Sequence, residues 1–258
     1  MNTNIREDAR KMLNKVPEVT ALFWIIKMMS TTVGETAADF LNTDLHYGLT
    51  GTSAIMGALL AIALLFQIQA RRYVPWLYWT TVVFISVFGT LITDNLSDKL
   101  GVPLALSTGA FSVALIVTFA LWYNREKTLS IKAIDSLKRE AFYWLAILFT
   151  FALGTAAGDW VAEGLSLGYA NSALLFGGLI AVTACAHYLF KIDSISCFWI
   201  AYVLTRPFGA SCGDLLSQPA SSGGLGMGTT RTSEIFLITI IGLVSYLCWE
   251  DKGKSIEP

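Results

Sequence analysis

Charge is scarce in this sequence. Asp, Glu, Lys and Arg make up 14% of the 258 residues, hydrophobic residues 54%, and the mean hydropathy is +0.58. About a quarter of a soluble domain is charged, so an ordinary water-facing shell is excluded. Histidine, with two residues, and cysteine, with four, are also rare. Cys185, Cys197, Cys212 and Cys248 form no C-x-x-C pair, which argues against a disulfide framework and a zinc site. The opening stretch MNTNIREDARKMLNKVPE lacks the apolar core and small-residue cleavage site of a signal peptide. SQPASSGGLGMGTT, 217–230, lacks a following GK[ST], so it reads as a flexible outer loop and not as a phosphate loop. Nothing in the charge pattern points to a soluble domain or a nucleic-acid partner.

Long hydrophobic runs are abundant. Eight stretches, roughly 19–41, 50–69, 75–96, 103–123, 141–163, 171–190, 196–216 and 233–249, are long enough to cross about 30 Å of hydrocarbon as helices. Lys and Arg are divided unevenly between alternate loops, which sets orientation. Arg6, Arg10, Lys11, Lys15, Arg71, Arg72, Arg125, Lys127, Lys132, Lys138, Arg139, Lys191, Lys252 and Lys254 fall on one side; Lys99 and Arg231 fall on the other. Both termini are therefore expected in the cytoplasm. Tyr73, Trp76, Trp122, Tyr123, Tyr188 and Trp249 stand near the cytoplasmic ends, as an aromatic belt does. Ile5, Ala9, Met12 and Val16 share one helical face, the pattern of a short interfacial helix.

Self-similarity organises these runs. FWIIKMMSTTVGETAADFL from Phe23, YWTTVVFISVFGTLITDNL from Tyr78, YWLAILFTFALGTAAGDWV from Tyr143 and FWIAYVLTRPFGASCGDLL from Phe198 align without a gap. Their common pattern is [F/Y]-W, nine residues, Gly, four residues, Asp. It contains Trp24, Trp79, Trp144 and Trp199; Gly34, Gly89, Gly154 and Gly209; and Asp39, Asp94, Asp159 and Asp214. The fold class expected is all-α transmembrane, with eight helices as four tandem two-helix repeats in the same orientation. A pseudo-fourfold or nested twofold axis would run along the membrane normal. The division is 1–18, a cytoplasmic N-terminal segment; 19–69, 70–123, 141–190 and 191–249, repeats 1 to 4; 124–140, a basic cytoplasmic loop; and 250–258, a cytoplasmic tail.

Together with KVPEVT and GETAAD, the four two-helix units with their tryptophans resemble a bacterial membrane-protein family of unknown function built by fourfold repetition of this element. The resemblance covers nearly the whole chain. It implies the repeat architecture and a bacterial setting, and no reaction; the expected location is the bacterial inner membrane.

The residue after each motif glycine lies four before the aspartate, and so stacks on the same helical face. The pairs are Glu35 and Asp39, Thr90 and Asp94, Thr155 and Asp159, Ala210 and Asp214. Ala38, Thr93, Gly158 and Gly213 precede the aspartates and are small enough to let helices approach. Fifteen residues separate each tryptophan from its aspartate, about 22 Å of helix, so the aspartates belong to the outer half of the membrane. Carboxylates in hydrocarbon need a partner, water or a cation. Hard oxygen ligands without clustered His or Cys favour Mg²⁺, Ca²⁺ or Mn²⁺. Candidate ion ligands are Glu35, Asp39, Asp94, Asp159 and Asp214, assisted by Thr90 and Thr155, with Lys27 and Arg206 as counter-charges. Met28 and Met29 are either packing or a soft ligand favouring manganese. The aspartates also have a purely structural reading, as acceptors for loops or helix N-termini.

Lys27 and Arg206 lie three and seven residues after their tryptophans and break the symmetry. Pro207 is expected to interrupt the seventh segment. Glu18 is a candidate cap for the first membrane helix, Asp44 and His46 a weak D-x-H pair in an outer loop, and His187 an interfacial residue. The functional expectation is a secondary transporter exporting a divalent cation, Mn²⁺ favoured, driven by protons or potential, with lipid as its surroundings and no cofactor or enzymatic activity. The alternatives are a transporter of a small organic or anionic solute, an intramembrane hydrolase using Asp39 and Asp94, and a structural or sensory protein.

Overall fold

The computed structural model describes residues 14–254. Ile5, Ala9 and Met12 of the expected interfacial helix lie outside the described residues, as do Arg6, Arg10 and Lys11. The described residues form eight α-helices and no strand: α1 Ala21–Asp39, α2 Gly48–Gln69, α3 Pro75–Asp94, α4 Leu104–Glu126, α5 Leu137–Asp159, α6 Tyr169–Phe190, α7 Ser194–Ser217 and α8 Thr229–Lys254. Odd-numbered helices carry the [F/Y]-W…Gly…Asp motif and even-numbered ones are plain.

Local chemistry sets the boundaries. Thr20 caps α1, its hydroxyl accepting from the Phe23 amide at 3.3 Å, so the cap is Thr20 and not the exposed Glu18. Asp193 caps α7 and Ser136 caps α5, while α3 begins on Pro75, which has no amide to leave unpaired. After α1, α3 and α5 the chain continues for one π turn, in which Leu45, Leu100 and Leu165 donate to the carbonyls five residues back, Phe40, Asn95 and Trp160. A left-handed residue follows at the same place each time: His46 (φ 58°), Gly101 (φ 66°) and Ser166 (φ 56°). His46 is thus a turn residue, while Asp44 accepts from the Thr229 hydroxyl at 2.5 Å.

Repeat four ends differently. The 217–230 segment is not a loose loop: the amides of Leu225, Gly226, Met227 and Gly228 donate to the carbonyls of Leu215, Gln218, Leu216 and Ser217, folding it back on α7. Its glycines allow φ of 88°, 72° and 82° at Gly223, Gly226 and Gly228. Nor does Pro207 break α7, which runs through it. Its ring packs where Gly154 and Gly158 of α5 leave room, and that close approach offsets the missing amide bond. The basic loop holds a short 3₁₀ turn, Ile131–Ala133, between the ends of α4 and α5, with Arg139 bonded to Glu126 at 2.7 Å and to Asp135 at 3.2 Å.

The motif helices form a closed inner ring in the order α1, α3, α5, α7 and back to α1. Each plain helix lies against the motif helix of the next repeat: α2 on α3, α4 on α5, α6 on α7, and α8 on α1. Contacts between successive motif helices recur in register. Phe23 meets Trp79, Tyr78 meets Trp144, Tyr143 meets Trp199 and Phe198 meets Trp24, with ring centroids 5.6, 5.6, 6.2 and 5.6 Å apart. Further along, a methyl group on Gly34 would fall on Ser86, on Gly89 on Phe151, on Gly154 on Arg206, and on Gly209 on Thr31. Each glycine therefore meets the residue three before the next repeat's glycine, and the cycle closes. The first and third plain helices repeat a contact as well, Gly57 receiving Phe88 and Gly177 receiving Phe208.

The chain was expected to have eight spans, and six helices are long and apolar enough to cross a membrane: α2 to α6 and α8. The other two, α1 and α7, are the motif helices carrying Lys27, Glu35 and Arg206, which lower their apolarity. Their place in the inner ring keeps those charges from lipid.

Candidate functional site

Residues at four-residue intervals along a helix keep to one face. Starting from the aromatic before each tryptophan, five such steps are buried or half-buried in every motif helix, and they stack as layers about the ring's axis. Phe23, Tyr78, Tyr143 and Phe198 form the first; Lys27, Val82, Ile147 and Tyr202 the second; Thr31, Ser86, Phe151 and Arg206 the third. Glu35, Thr90, Thr155 and Ala210 form the fourth, and the four aspartates the fifth. Lys27 and Arg206 break the symmetry of composition while keeping the symmetry of place.

Arg206 is fully buried and ties the four repeats together. Its Nη2 donates to Glu35 Oε2 at 2.9 Å, to Thr155 Oγ1 at 2.8 Å and to Thr90 Oγ1, and its Nη1 donates to the Thr31 carbonyl at 3.1 Å. The threonine hydroxyls send their own protons to main-chain carbonyls, Thr90 to Ser86 at 3.2 Å and Thr155 to Phe151 at 3.2 Å, which leaves their lone pairs for the guanidinium. Three of the four residues that follow the motif glycines thus hold one arginine. The fourth, Ala210, is one turn along α7 from that arginine, and a larger side chain there would compete for the same axial space.

Lys27 is treated differently. It is 1% exposed, and its Nζ has no hydrogen-bond partner among the described residues. The nitrogen sits 4.2 Å from the centre of the Phe151 ring and 4.4 Å from that of Tyr202. Expected as a counter-charge to the repeat carboxylates, it instead meets two aromatic faces, which attract a cation through the ring quadrupole. Phe151 also lies near Arg206, whose Cζ is 5.7 Å from the ring centre. One phenylalanine ring thus has both buried cations of the axis close to it.

Of the five predicted carboxylates, three converge. One oxygen each from Glu35, Asp159 and Asp214 lies within 4.8 Å of the other two. Asp214 is 7% exposed and accepts no side-chain hydrogen bond from the described residues. Asp39 and Asp94, both half-buried, lie outside that trio, and Asp39 accepts from Gln218 Nε2 at 3.4 Å. Oxygens on opposite sides of one ion are separated by about twice the bond length, roughly 4.2 Å for Mg²⁺ and about 5 Å for Ca²⁺. The spacing of the trio suits a single hard divalent ion. Met29 packs against the hydrophobic core.

The basic end of the axis holds residues that the spacing of charges did not single out. Tyr202 is fully buried with an unpartnered hydroxyl, and Tyr78 and Tyr143 hydrogen-bond to each other through their hydroxyls at 2.5 Å. The signal was present: the four-residue stripe that ends on each aspartate extends back through these positions. His187, by contrast, is remote from the axis and pairs with the Ile192 carbonyl at 3.0 Å.

An all-helical ring of tandem repeats with six strongly apolar helices and its charges turned inward defines a multi-pass membrane protein. The family described as Repeat of Unknown Function (DUF347) matches residues 22–73, 77–128, 142–193 and 197–252, each segment starting one residue before an [F/Y]-W pair, and the chain belongs to that family. No curated protein and no solved structure matches the chain.

Proposed function

We propose that this protein is a secondary transporter that exports a divalent metal cation, with Mn²⁺ first among the hard ions, through the carboxylate cluster of its motif helices. The single observation that carries the reading is the convergence of Glu35, Asp159 and Asp214 within 4.8 Å beside a fully buried arginine. Five acidic side chains and one guanidinium share the outer end of the axis, which leaves an excess of negative charge for a cation to neutralise. Arg206 is the resident counter-ion. An arriving divalent ion takes the oxygens of Asp159, Asp214 and Glu35, and the guanidinium yields Glu35 while keeping Thr90, Thr155 and the Thr31 carbonyl.

Orientation follows the distribution of Lys and Arg, which puts the tryptophan layer and both termini at the cytoplasmic face of a bacterial inner membrane and the aspartates toward the outside. The axis then runs along the membrane normal, as in transporters built from parallel repeats. Transport of an organic anion anchored on Lys27 and Arg206 has less support, since the Arg206 Nη atoms already donate to Glu35, Thr90, Thr155 and the Thr31 carbonyl and Lys27 Nζ meets two aromatic faces. An intramembrane hydrolase built on Asp39 and Asp94 has less as well, because neither belongs to the converging trio.

The test is binding and movement of the ion itself. Purified protein should be stabilised against heat by Mn²⁺ through mass action, and proteoliposomes should pass Mn²⁺. Asp214→Asn and Asp159→Asn should each abolish both effects. Unchanged stabilisation and flux in the two variants would refute the reading.

A further inference from the structure

Arg206 explains its own burial through its hydrogen bonds; Lys27 does not. An ammonium in the interior of a membrane helix costs several kcal/mol, is ordinarily paired, and is a functional group by default when it is not. Lys27 Nζ has two ring faces and no acceptor. The charged and titratable groups that face it from the surrounding helices are Arg206 and Tyr202 of α7, with Tyr78 of α3 and Tyr143 of α5 one layer toward the basic end. No carboxylate stands in its own layer or in the layer toward the basic end.

Resting on the transport reading above, we infer that Lys27 carries the coupling proton: a cation on the carboxylate trio and a proton on Lys27 exclude one another, and Tyr202 with the Tyr143 and Tyr78 pair forms the proton's route to the basic end. Arg206 transmits the exclusion. While Glu35 neutralises the guanidinium, the ammonium beside Phe151 is tolerated. When a divalent ion takes Glu35, the guanidinium and the ammonium become two unneutralised charges beside one ring, with Arg206 Cζ 5.7 Å and Lys27 Nζ 4.2 Å from its centre. Arginine keeps its proton at any accessible pH, so the proton on lysine is the charge that leaves. One N–H bond of the ammonium breaks, a neutral amine remains, and the proton passes by water to the hydroxyls, each oxygen accepting one proton as it releases its own. Loss of the cation reverses the step. Mutual exclusion of cation and proton is the condition for antiport.

The experiment uses the full chain in proteoliposomes with a trapped pH indicator and an imposed Mn²⁺ gradient, alongside Mn²⁺-induced thermal stabilisation of the purified protein. Wild type should move protons opposite to Mn²⁺. Lys27→Arg keeps a permanent cation beside the rings and cannot release a proton, so both stabilisation by Mn²⁺ and Mn²⁺-driven proton movement should fall at least tenfold. Lys27→Met carries no charge there, so stabilisation by Mn²⁺ should persist while Mn²⁺-driven proton movement falls at least tenfold. Tyr143→Phe should slow proton movement severalfold with stabilisation unchanged. Wild-type proton movement in Lys27→Arg overturns the inference, as does loss of stabilisation in both Lys27 variants, which would mark a structural residue. Unaltered proton movement in both Tyr143→Phe and Tyr202→Phe overturns the route. Mn²⁺ movement without protons in the wild type overturns the coupling and leaves the transport reading standing; no Mn²⁺ movement overturns both.

Discussion

The inner and outer rings of this protein are built from helices of similar length and do opposite jobs. In the membrane-length stretches of α3 and α5, 61% and 67% of residues are buried, against 11–22% in α2, α4, α6 and α8. Ile116, Val182 and Ile238 on the outer ring are exposed as lipid-facing residues are, whereas Lys27, Glu35 and Arg206 on the inner ring are almost wholly covered. With lipid as apolar as leucine, helices associate through close packing and polar contacts more than by the hydrophobic effect. The inner ring supplies both, glycines for approach and hydroxyls for bonding, and the outer ring insulates it.

Removing the central cation should break this contrast most severely. Arg206→Met leaves Glu35 buried without its ion pair, which costs about 3–5 kcal/mol. Adding Glu35→Met should recover much of that loss. Thermal unfolding in detergent checks the pair, and a double variant as unstable as the single one would show that the guanidinium's other bonds dominate.

The same substitution in each ring separates packing from propensity. In Gly154→Val the new side chain would collide with the stem of Arg206 and with Pro207, and overpacking of this kind costs about 3 kcal/mol. Gly178→Val on α6 meets nothing within 4 Å, and exposed sites of that sort change stability by about 0.5 kcal/mol or less. Equal losses in the two variants, read by melting temperature and elution as a single species, would erase the distinction between the rings.

A smaller step sharpens the account of the inner ring. Thr90→Val removes one of the acceptors around Arg206, and a hydrogen bond to a charged group contributes about 1.5 kcal/mol at the lower end of its range. Glu35 and Thr155 remain, so the protein should fold with a modestly lowered melting temperature and weakened stabilisation by Mn²⁺.

Much of this arrangement was legible before any coordinates. The [F/Y]-W…Gly…Asp spacing marks the four motif helices and their boundaries, because period and cap are local properties of the chain. The pairing of Glu35 with Asp39 on one face was legible for the same reason. Several local readings failed. Pro207 does not interrupt α7, since the glycines of a neighbouring helix make room for its ring, and Glu18 yields the cap to Thr20, whose hydroxyl is within reach of the Phe23 amide. The motif glycines proved to be contact points between helices, and which residue each one meets could not be read from spacing within its own repeat.

What the sequence determined by itself is the class of molecule and the inventory of its axis: four repeats, eight helices, four aspartates, and one lysine and one arginine out of step with the pattern. Only the tertiary structure decided how the two cations differ. Arg206 reaches Glu35 across 171 residues of chain and Thr90 across 116, while Lys27 finds Phe151 and Tyr202 instead of an acid. Partner choice of that kind depends on distances across a closed ring, and those distances exist only once α7 has packed against α1 and the ring has shut.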